Sequence, residues 1–188
     1  SAVILNGEKK TGVTTMYMDE GIDTGDMLLT KEIEIADKET CGSLEEKIAA
    51  AGAELILDTL SALEAGTLKR TPQEGEASYV KMMKKQAGII DWNDSAVNIE
   101  RKVRAFNPWP GSFTYYDGLI MKIYSADVVD CSGYAPGMVA EVKNRFVIQT
   151  GDGGLQINEL QLEGKKRMQA SDFLRGCKIL PGEVLKSE

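Results

Sequence analysis

Histidine is absent from the 188-residue sequence. This absence excludes a Ser-His-Asp or Cys-His nucleophile built from this chain alone, and it excludes a histidine-ligated zinc ion. A general base must therefore be a carboxylate, a lysine or a group outside this sequence. The carboxylates show no spacing typical of a metal site, so we expect no metal.

Cysteines and long apolar runs are also scarce. The three cysteines, Cys41, Cys131 and Cys177, form no Cys-x-x-Cys pair, and their odd number argues against a disulfide framework. No stretch approaches the ~20 uncharged apolar residues that a bilayer crossing requires. The first residues lack the basic and apolar segments of a signal peptide. We therefore expect a cytoplasmic protein without a membrane partner.

Charge is divided unevenly along the chain. Residues 1–77 carry 16 acidic and 7 basic side chains, whereas residues 78–188 carry 13 acidic and 15 basic ones. Such asymmetry suggests two units with different partners. The positive excess of the second half is small, so it is equally consistent with an ordinary solvated surface.

The first part of the chain reads as strand, loop, strand and helix. The β-branched run Val13–Met18 predicts a strand, the acidic and glycine-rich run Asp19–Asp26 predicts a loop, and the alternation in Met27–Ile35 predicts a second strand. Ser43-Leu-Glu-Glu46 resembles a capping box at the start of a helix that ends at Gly66. Two strands and one helix cannot enclose a core, so we interpret this part as the tail of an α/β domain.

The rest of the chain has a different pattern. Residues 67–85 are polar and predict a linker with a helical turn near its end. A short helix over Ser95–Phe106 must stop before Pro108, and Asp117-Gly118 predicts a two-residue hairpin. Further short strands predict a small barrel or sandwich, and Ser171 is expected to cap a last helix ending at Gly176. The predicted strands are Phe113–Tyr116, Leu119–Val129, Val139–Val142, Phe146–Thr150 and Leu155–Leu160.

Three short segments could carry chemistry. The Gly21–Met27 loop holds Asp23 and Asp26 between two strands, where a carboxylate could orient water or move a proton; the alternative is a loop that only turns the chain. Arg104–Gly111 contains a rigid Pro-Trp-Pro corner, suited to a ligand contact or to a buried joint. Gly164–Met168 presents three consecutive cations to phosphates or merely to solvent.

Read together, these segments resemble the methionyl-tRNA formyltransferase family. The match runs from about Gly12 to about Leu185, nearly the whole chain. The Asp-Thr-Gly-Asp-Met and Asn-Pro-Trp-Pro motifs are shared with other enzymes that use 10-formyltetrahydrofolate, whereas the Gly-Lys-Lys-Arg-Met segment favours the tRNA enzyme. The matching segments are Gly12–Met16, Asp19–Met27, Ile90–Trp92, Arg104–Pro110, Glu163–Met168 and Asp172–Gly176.

The resemblance implies formyl transfer from 10-formyltetrahydrofolate to the amino group of methionyl-initiator tRNA. It also implies a mixed α+β architecture: the C-terminal remnant of a Rossmann-like α/β formyltransferase domain (residues 1–66), the linker (67–85) and an OB-like Greek-key β-barrel that binds tRNA (86–188). Asp23 matches the aspartate of the family's Asn, His and Asp trio, where it holds water and the histidine in place. The surrounding loop implies a folate-binding set of Asp19, Gly21, Ile22, Asp23 and Thr24.

The resemblance also implies that parts of the enzyme are missing. The family's Asn-x-His segment and Ser-Leu-Leu-Pro signature lie upstream of Ser1, and nothing here replaces them because the chain has no histidine. We therefore expect a C-terminal portion that is inactive alone. An incomplete sheet would leave the strand near Val13 with a free edge, so self-association is expected.

The basic residues of the second half are the expected tRNA contacts. If they touch phosphates, binding should weaken as salt rises. Two alternatives remain open at this point: a formyltransferase acting on a nucleotide sugar, in which these residues would be expendable, and a free-standing RNA-binding barrel without chemistry. The expected contacts are Lys84, Lys85, Arg101, Arg104, Lys165, Lys166, Arg167 and Arg175.

Overall fold

The computed structural model describes residues 1–80 and 82–187. After a single helical turn, α1 (Ala2–Leu5), strand β1 (Lys10–Met16) pairs antiparallel with β2 (Met27–Glu34). Strand β1 begins three residues earlier than predicted and ends two residues earlier, with Met18 fully outside the ladder and exposed to solvent. In the described residues β1 has β2 as its single strand neighbour.

Helix α2 (Cys41–Glu64) packs across this hairpin. The predicted capping box was displaced: the N-cap is Thr40, and Ser43 occupies the N3 position inside the helix. Thr40 has an extended backbone and its hydroxyl accepts from the Ser43 N–H, while the Ser43 hydroxyl accepts from the Thr40 N–H at 3.1 Å. This reciprocal pair satisfies the helix start without Glu46. The predicted end is confirmed, because Gly66 has a φ of +66° just beyond the helix.

The second part of the chain contains a six-stranded antiparallel sheet. A 3₁₀ turn over Lys85–Gly88 confirms the helical turn predicted at the end of the linker. Helix α3 (Ala96–Ala105) confirms the short helix predicted over Ser95–Phe106, with Ser95 as its N-cap and Phe106 as its C-cap. The strand order is β3-β4-β7-β6-β5, with β8 added to β7. The strands are β3 (Ser112–Tyr116), β4 (Leu119–Val129), β5 (Val139–Glu141), β6 (Phe146–Gln149), β7 (Gly154–Leu162) and β8 (Met168–Gln169).

The last helix, α4 (Ala170–Gly176), starts one residue before the predicted cap at Ser171. Strand β8 runs directly into the helix, so the extended residue Gln169 takes the N-cap position and leaves no place for Ser171. Beyond α4, the chain joins the two outer strands of the sheet. Lys186 exchanges backbone hydrogen bonds of 2.9 Å with Tyr115 of β3, and Val139 of β5 donates to Glu183 at 2.8 Å.

Two clusters of buried apolar side chains stabilise the molecule. The larger lies inside the six-stranded sheet and includes Ile90, Trp92 and Leu160. The smaller joins the first residues to helix α3: Ile4 and Leu44 pack with Phe106. Helix α3 therefore contributes to both clusters, with Val103 in one and Ala105 in the other. Across the described residues, no helix has the length and hydropathy needed to cross a membrane.

Candidate functional site

The loop between β1 and β2 contains all five predicted folate contacts. Residues 18–24 of this loop are exposed, Tyr17 and Asp26 at its two ends are half-buried, and Gly25 is buried against the preceding strand end. A Cβ atom at Gly25 would lie 1.7 Å from the carbonyl oxygen of Tyr17, so only glycine fits there. The close approach at Gly25 therefore fixes the base of the loop, while residues 19–24 remain open to solvent.

Asp19 organises the first half of this loop. Its carboxylate accepts from the Gly21 N–H at 3.0 Å and from the Thr24 hydroxyl at 2.6 Å. These hydrogen bonds, first from Thr24 and then from Gly21, lower the pKa of Asp19, so it remains a carboxylate at neutral pH. Asp19, Gly21 and Thr24 thus lie together, and in this arrangement Asp19 acts on the shape of the loop itself.

Asp23 lies at the turn of the loop in a left-handed conformation, with φ of +56°. Non-glycine residues adopt this conformation infrequently, and aspartate is among the types that tolerate it best. Asp23 and its neighbours Ile22 and Thr24 line one wall of a groove of about 510 Å³. The opposite wall is the segment 73–79, which ends at the exposed side chain of Tyr79.

The segment after helix α2 is bound to this loop, which sequence reasoning missed. Met27 and Thr71 exchange backbone hydrogen bonds of 2.8 and 2.9 Å. Arg70 stacks on the Tyr17 ring, 4.1 Å from its centroid, and lies 3.3 Å from the Asp26 carboxylate. The polar composition of residues 67–85 predicted only a linker, and no periodicity in it signals these contacts.

The predicted tRNA contacts fall into two groups. Four lysines, Lys84, Lys85, Lys165 and Lys166, are exposed. The four arginines are engaged: Arg101 packs against Gly7, Arg104 bonds Glu100, Arg167 bonds Glu159 and Arg175 bonds Asp172.

Two of these arginines are fixed in particular surroundings. The Arg104 side chain is only 15% exposed, and its Nη1 donates to the carbonyl oxygen of Glu39 at 3.0 Å. Arg167 forms two bonds with Glu159 and stacks 4.2 Å above the Tyr124 ring. The hydrogen bonds that Arg167 donates to Glu159 raise the pKa of the guanidinium. Arg104 and Arg167 line one groove of about 380 Å³ together with Lys38.

Among residues 1–80 and 82–187, no group of three histidine, cysteine, aspartate or glutamate side chains has the geometry to hold a metal ion. The three cysteines are free thiols, and Cys41 is buried, which raises the pKa of its thiol. Asp23 presents a solvent-exposed carboxylate at the turn of the loop, which can accept hydrogen bonds, orient water and stabilise a nearby positive charge.

Comparison with known proteins connects both parts of the chain to one family. Residues 1–60 match the model described as formyl transferase, and residues 82–178 match the formyl transferase C-terminal domain. A methionyl-tRNA formyltransferase from Agathobacter rectalis is 47% identical over 182 residues, covering 95% of this chain and 59% of the relative. One from Lachnospira eligens is 46% identical over 190 residues, covering 97% and 60%. The chain spans about 60% of the length of these relatives.

A solved structure gives the same result for the fold. HypX from Aquifex aeolicus, in complex with tetrahydrofolic acid, superposes with a TM-score of 0.67 at 24% identity, covering 92% of this chain and 31% of HypX. At this identity the likeness concerns the fold alone. The two matching models, the identity to the curated relatives and the motif residues agree. The chain belongs to the formyl transferase family.

Proposed function

We propose that the gene product carrying this sequence transfers a formyl group from 10-formyltetrahydrofolate to the amino group of methionyl-initiator tRNA. The observation that carries the proposal is 47% identity, over 95% of the chain, to a relative named methionyl-tRNA formyltransferase. In this reaction the amino nitrogen bonds to the formyl carbon, the bond from that carbon to folate N10 breaks, and the proton lost by the amine is returned to N10.

Asp23 is the proposed catalytic residue of this chain. Its exposed position on the groove, at a turn held by Gly25, suits a carboxylate that orients water and a proton carrier near the amine. The folate donor is proposed to lie against Asp19, Gly21, Ile22, Asp23 and Thr24. The groove of about 510 Å³ has the volume of a typical small-molecule site, and the HypX structure with tetrahydrofolic acid supports a folate ligand in this fold.

The domain organisation is proposed on the same basis. Residues 1–66 would be the C-terminal part of a Rossmann-like catalytic domain, 67–85 the linker, and 86–188 an OB-like barrel. The bridging of β3 and β5 by the chain segment after α4 supports a barrel. The packing of Phe106 with Ile4 and Leu44 means that the proposed domains share a core instead of moving independently.

The proposed partners are initiator tRNA and the folate donor, in the cytoplasm. The tRNA contacts are Lys84, Lys85, Arg101, Arg104, Lys165, Lys166, Arg167 and Arg175, of which the four exposed lysines are the most available to phosphates. Self-association through the outer edge of β1 is also proposed, because an unpaired edge offers backbone donors and acceptors to a second copy. Light scattering that detects only monomer across a tenfold concentration range would contradict this proposed self-association.

Formyl transfer by the gene product that carries this sequence tests the proposal. Methionyl-tRNA and a nucleotide amino sugar are offered as competing acceptors with 10-formyltetrahydrofolate. We expect transfer to methionyl-tRNA, and a rate lowered ~10²-fold or more by Asp23→Asn. The matched control is Asp130→Asn, an exposed carboxyl in another part of the fold. Transfer to the sugar alone, or an unchanged rate in Asp23→Asn, would refute the proposal.

The 188-residue chain by itself provides a second test. It contains no histidine, so we expect it to bind tRNA without formylating it. Formylation by the purified chain would show that its own groups suffice for proton transfer. It would refute the proposal that the reaction needs the family's histidine, which this sequence lacks.

A further inference from the structure

Gln73 connects the segment after helix α2 to the backbone of the Asp23 loop. Its Nε2 atom donates to the carbonyl oxygen of Asp23 and to that of Gly25, each at 2.8 Å. A side-chain amide nitrogen carries two hydrogens, so both donors of Gln73 are used on this loop. The two acceptors flank Thr24, and the glutamine therefore holds both sides of the turn that presents Asp23.

These hydrogen bonds stabilise a loop conformation that the exposed residues of the loop would not stabilise by themselves. Asp23 has a φ of +56°, and residues 19–24 are exposed, without apolar packing around them. Hydrogen bonds made within the loop by Asp19 order its first half. The contacts that reach the backbone of Asp23 and Gly25 come from Gln73.

Two neighbouring contacts place Gln73 where it can act. The Met27–Thr71 backbone pair fixes the chain two residues before Gln73. Arg70 stacks on Tyr17 and forms an ion pair with Asp26, the first and last residues of the same loop. The segment Arg70–Gln73 is therefore attached to the loop at three successive points, and Gln73 is the point nearest Asp23.

We infer that Gln73 is a positioning residue, which fixes the backbone of the Asp23 loop so that the Asp23 carboxylate faces the groove. The inference rests on the proposed function for the identity of the ligand in that groove. It assigns to the linker a direct part in shaping the site, through the two hydrogen bonds that Gln73 donates to the loop backbone.

The test uses two variants that keep the shape of Gln73 and remove its donors. Gln73→Met is neutral and Gln73→Glu is negative, and neither can donate to a carbonyl at neutral pH. The control is Gln86→Glu, which makes the same charge change at an exposed glutamine of the 3₁₀ turn. Two quantities are measured on the 188-residue chain: the carbonyl ¹³C shifts of Asp23 and Gly25, which respond directly to hydrogen bonding, and the Kd for folinic acid.

We expect the two carbonyl signals to move in both Gln73 variants and to stay in the control. Folinic acid should bind about tenfold more weakly to the variants, because the loop loses an ordering contribution equal to about one net hydrogen bond. The Tm should stay unchanged. Unmoved carbonyl signals would overturn the inference, since the hydrogen bonds would not exist in solution. Moved signals with an unchanged Kd would overturn it too, because the contacts would then position nothing.

One outcome separates the inference from the proposed function. If the unmodified chain fails to bind folinic acid, the folate site in this chain is refuted. The Cα and Cβ shifts of Asp23, which report its left-handed backbone, then decide the inference. Loss of that conformation in Gln73→Met supports positioning by Gln73, and its retention overturns it.

Discussion

Arg104 of helix α3 donates through Nη1 to the backbone carbonyl oxygen of Glu39, 65 residues earlier in the chain, at 3.0 Å. The same guanidinium bonds the buried carboxylate of Glu100 at 2.8 Å. Lys38 reaches Glu100 at 3.3 Å and Asp127 of β4 at 2.6 Å. These contacts form a polar joint between the start of helix α2 and the six-stranded sheet, beside the smaller apolar cluster.

Arg104→Met tests the strength of this joint. The substitution keeps much of the side-chain volume but leaves the Glu100 carboxylate, whose side chain is 9% exposed, with Lys38 as its remaining ion-pair partner. Breaking a buried pair from one side costs about 3 kcal/mol. Urea denaturation should show this loss, compared with under ~1 kcal/mol for Arg145→Met, which breaks a more exposed pair with Glu141. Equal losses of unfolding free energy in the two variants would show that Arg104 stabilises the fold no more than an exposed ion pair does.

The acid sensitivity of the protein should depend on Asp127. Hydrogen bonds from Lys38 and then from Asn158 lower the pKa of this carboxyl. Because its folded pKa lies below its ordinary value, of about 3.9, its stabilising contribution is present above that value and is lost as the pH falls through the folded pKa. Asp127→Asn should therefore reduce the free energy of unfolding at pH 7, and the reduction should be smaller near pH 3, because the advantage of the ionised carboxylate fades as the pH falls below its ordinary pKa. An equal reduction at both pH values would exclude the linkage.

Local sequence signals predicted the regular elements well where one signal dominated. Asp117-Gly118 predicted the hairpin of β3 and β4, and both residues have positive φ. Where two signals competed, the prediction was wrong. Thr40 and Ser43 are both good N-cap residues; Ser43 was predicted to cap helix α2, and the structure has Thr40 at that position. Which residue caps a helix depends on where the preceding chain comes from, and that is set by tertiary contacts.

The candidate site was predictable in its centre and not in its surroundings. The Asp23 loop was found because its residues carry a recognisable motif. Gln73 was missed because its two hydrogen bonds reach backbone carbonyls 48 and 50 residues away, and backbone acceptors leave no trace in side-chain patterns. Arg104 was expected to face phosphate. It is instead largely buried beside Glu100, and this burial results from helix packing, which the number of charged residues in the sequence does not reveal.

Closure of the sheet should depend on Leu185. This side chain is 1% exposed, between the backbone contacts that the chain end makes with β3 and β5. Leu185→Ala removes buried apolar volume and should cost about 3 kcal/mol of stability. Val184→Ala, at a neighbouring side chain that is 46% exposed, should cost well under ~1 kcal/mol. Thermal unfolding followed by circular dichroism measures both losses. If Leu185→Ala costs as little stability as Val184→Ala, the chain end contributes little to closure of the sheet.

The exposed lysines of the β7–β8 turn should govern salt-dependent binding to initiator tRNA. Lys165 and Lys166 follow Gly164, which has a φ of +74°, and both side chains are exposed. Each phosphate that a cation neutralises releases counterions and makes the slope of log K against log salt more negative by about 0.7–0.9. Lys165→Gln with Lys166→Gln should therefore reduce the magnitude of that slope by about 1.5, measured by filter binding between about 50 and 200 mM salt.

The control for this experiment is Lys143→Gln with Lys178→Gln, which removes the same charge from two exposed lysines elsewhere on the second part of the chain. A general attraction of tRNA to positive charge would reduce the magnitude of the slope equally in the two double variants. A fall confined to Lys165 and Lys166 would locate the phosphates at this turn. No fall in either would show that the turn is only a solvated surface, and tRNA contact would then have to lie at the other proposed residues or outside this chain.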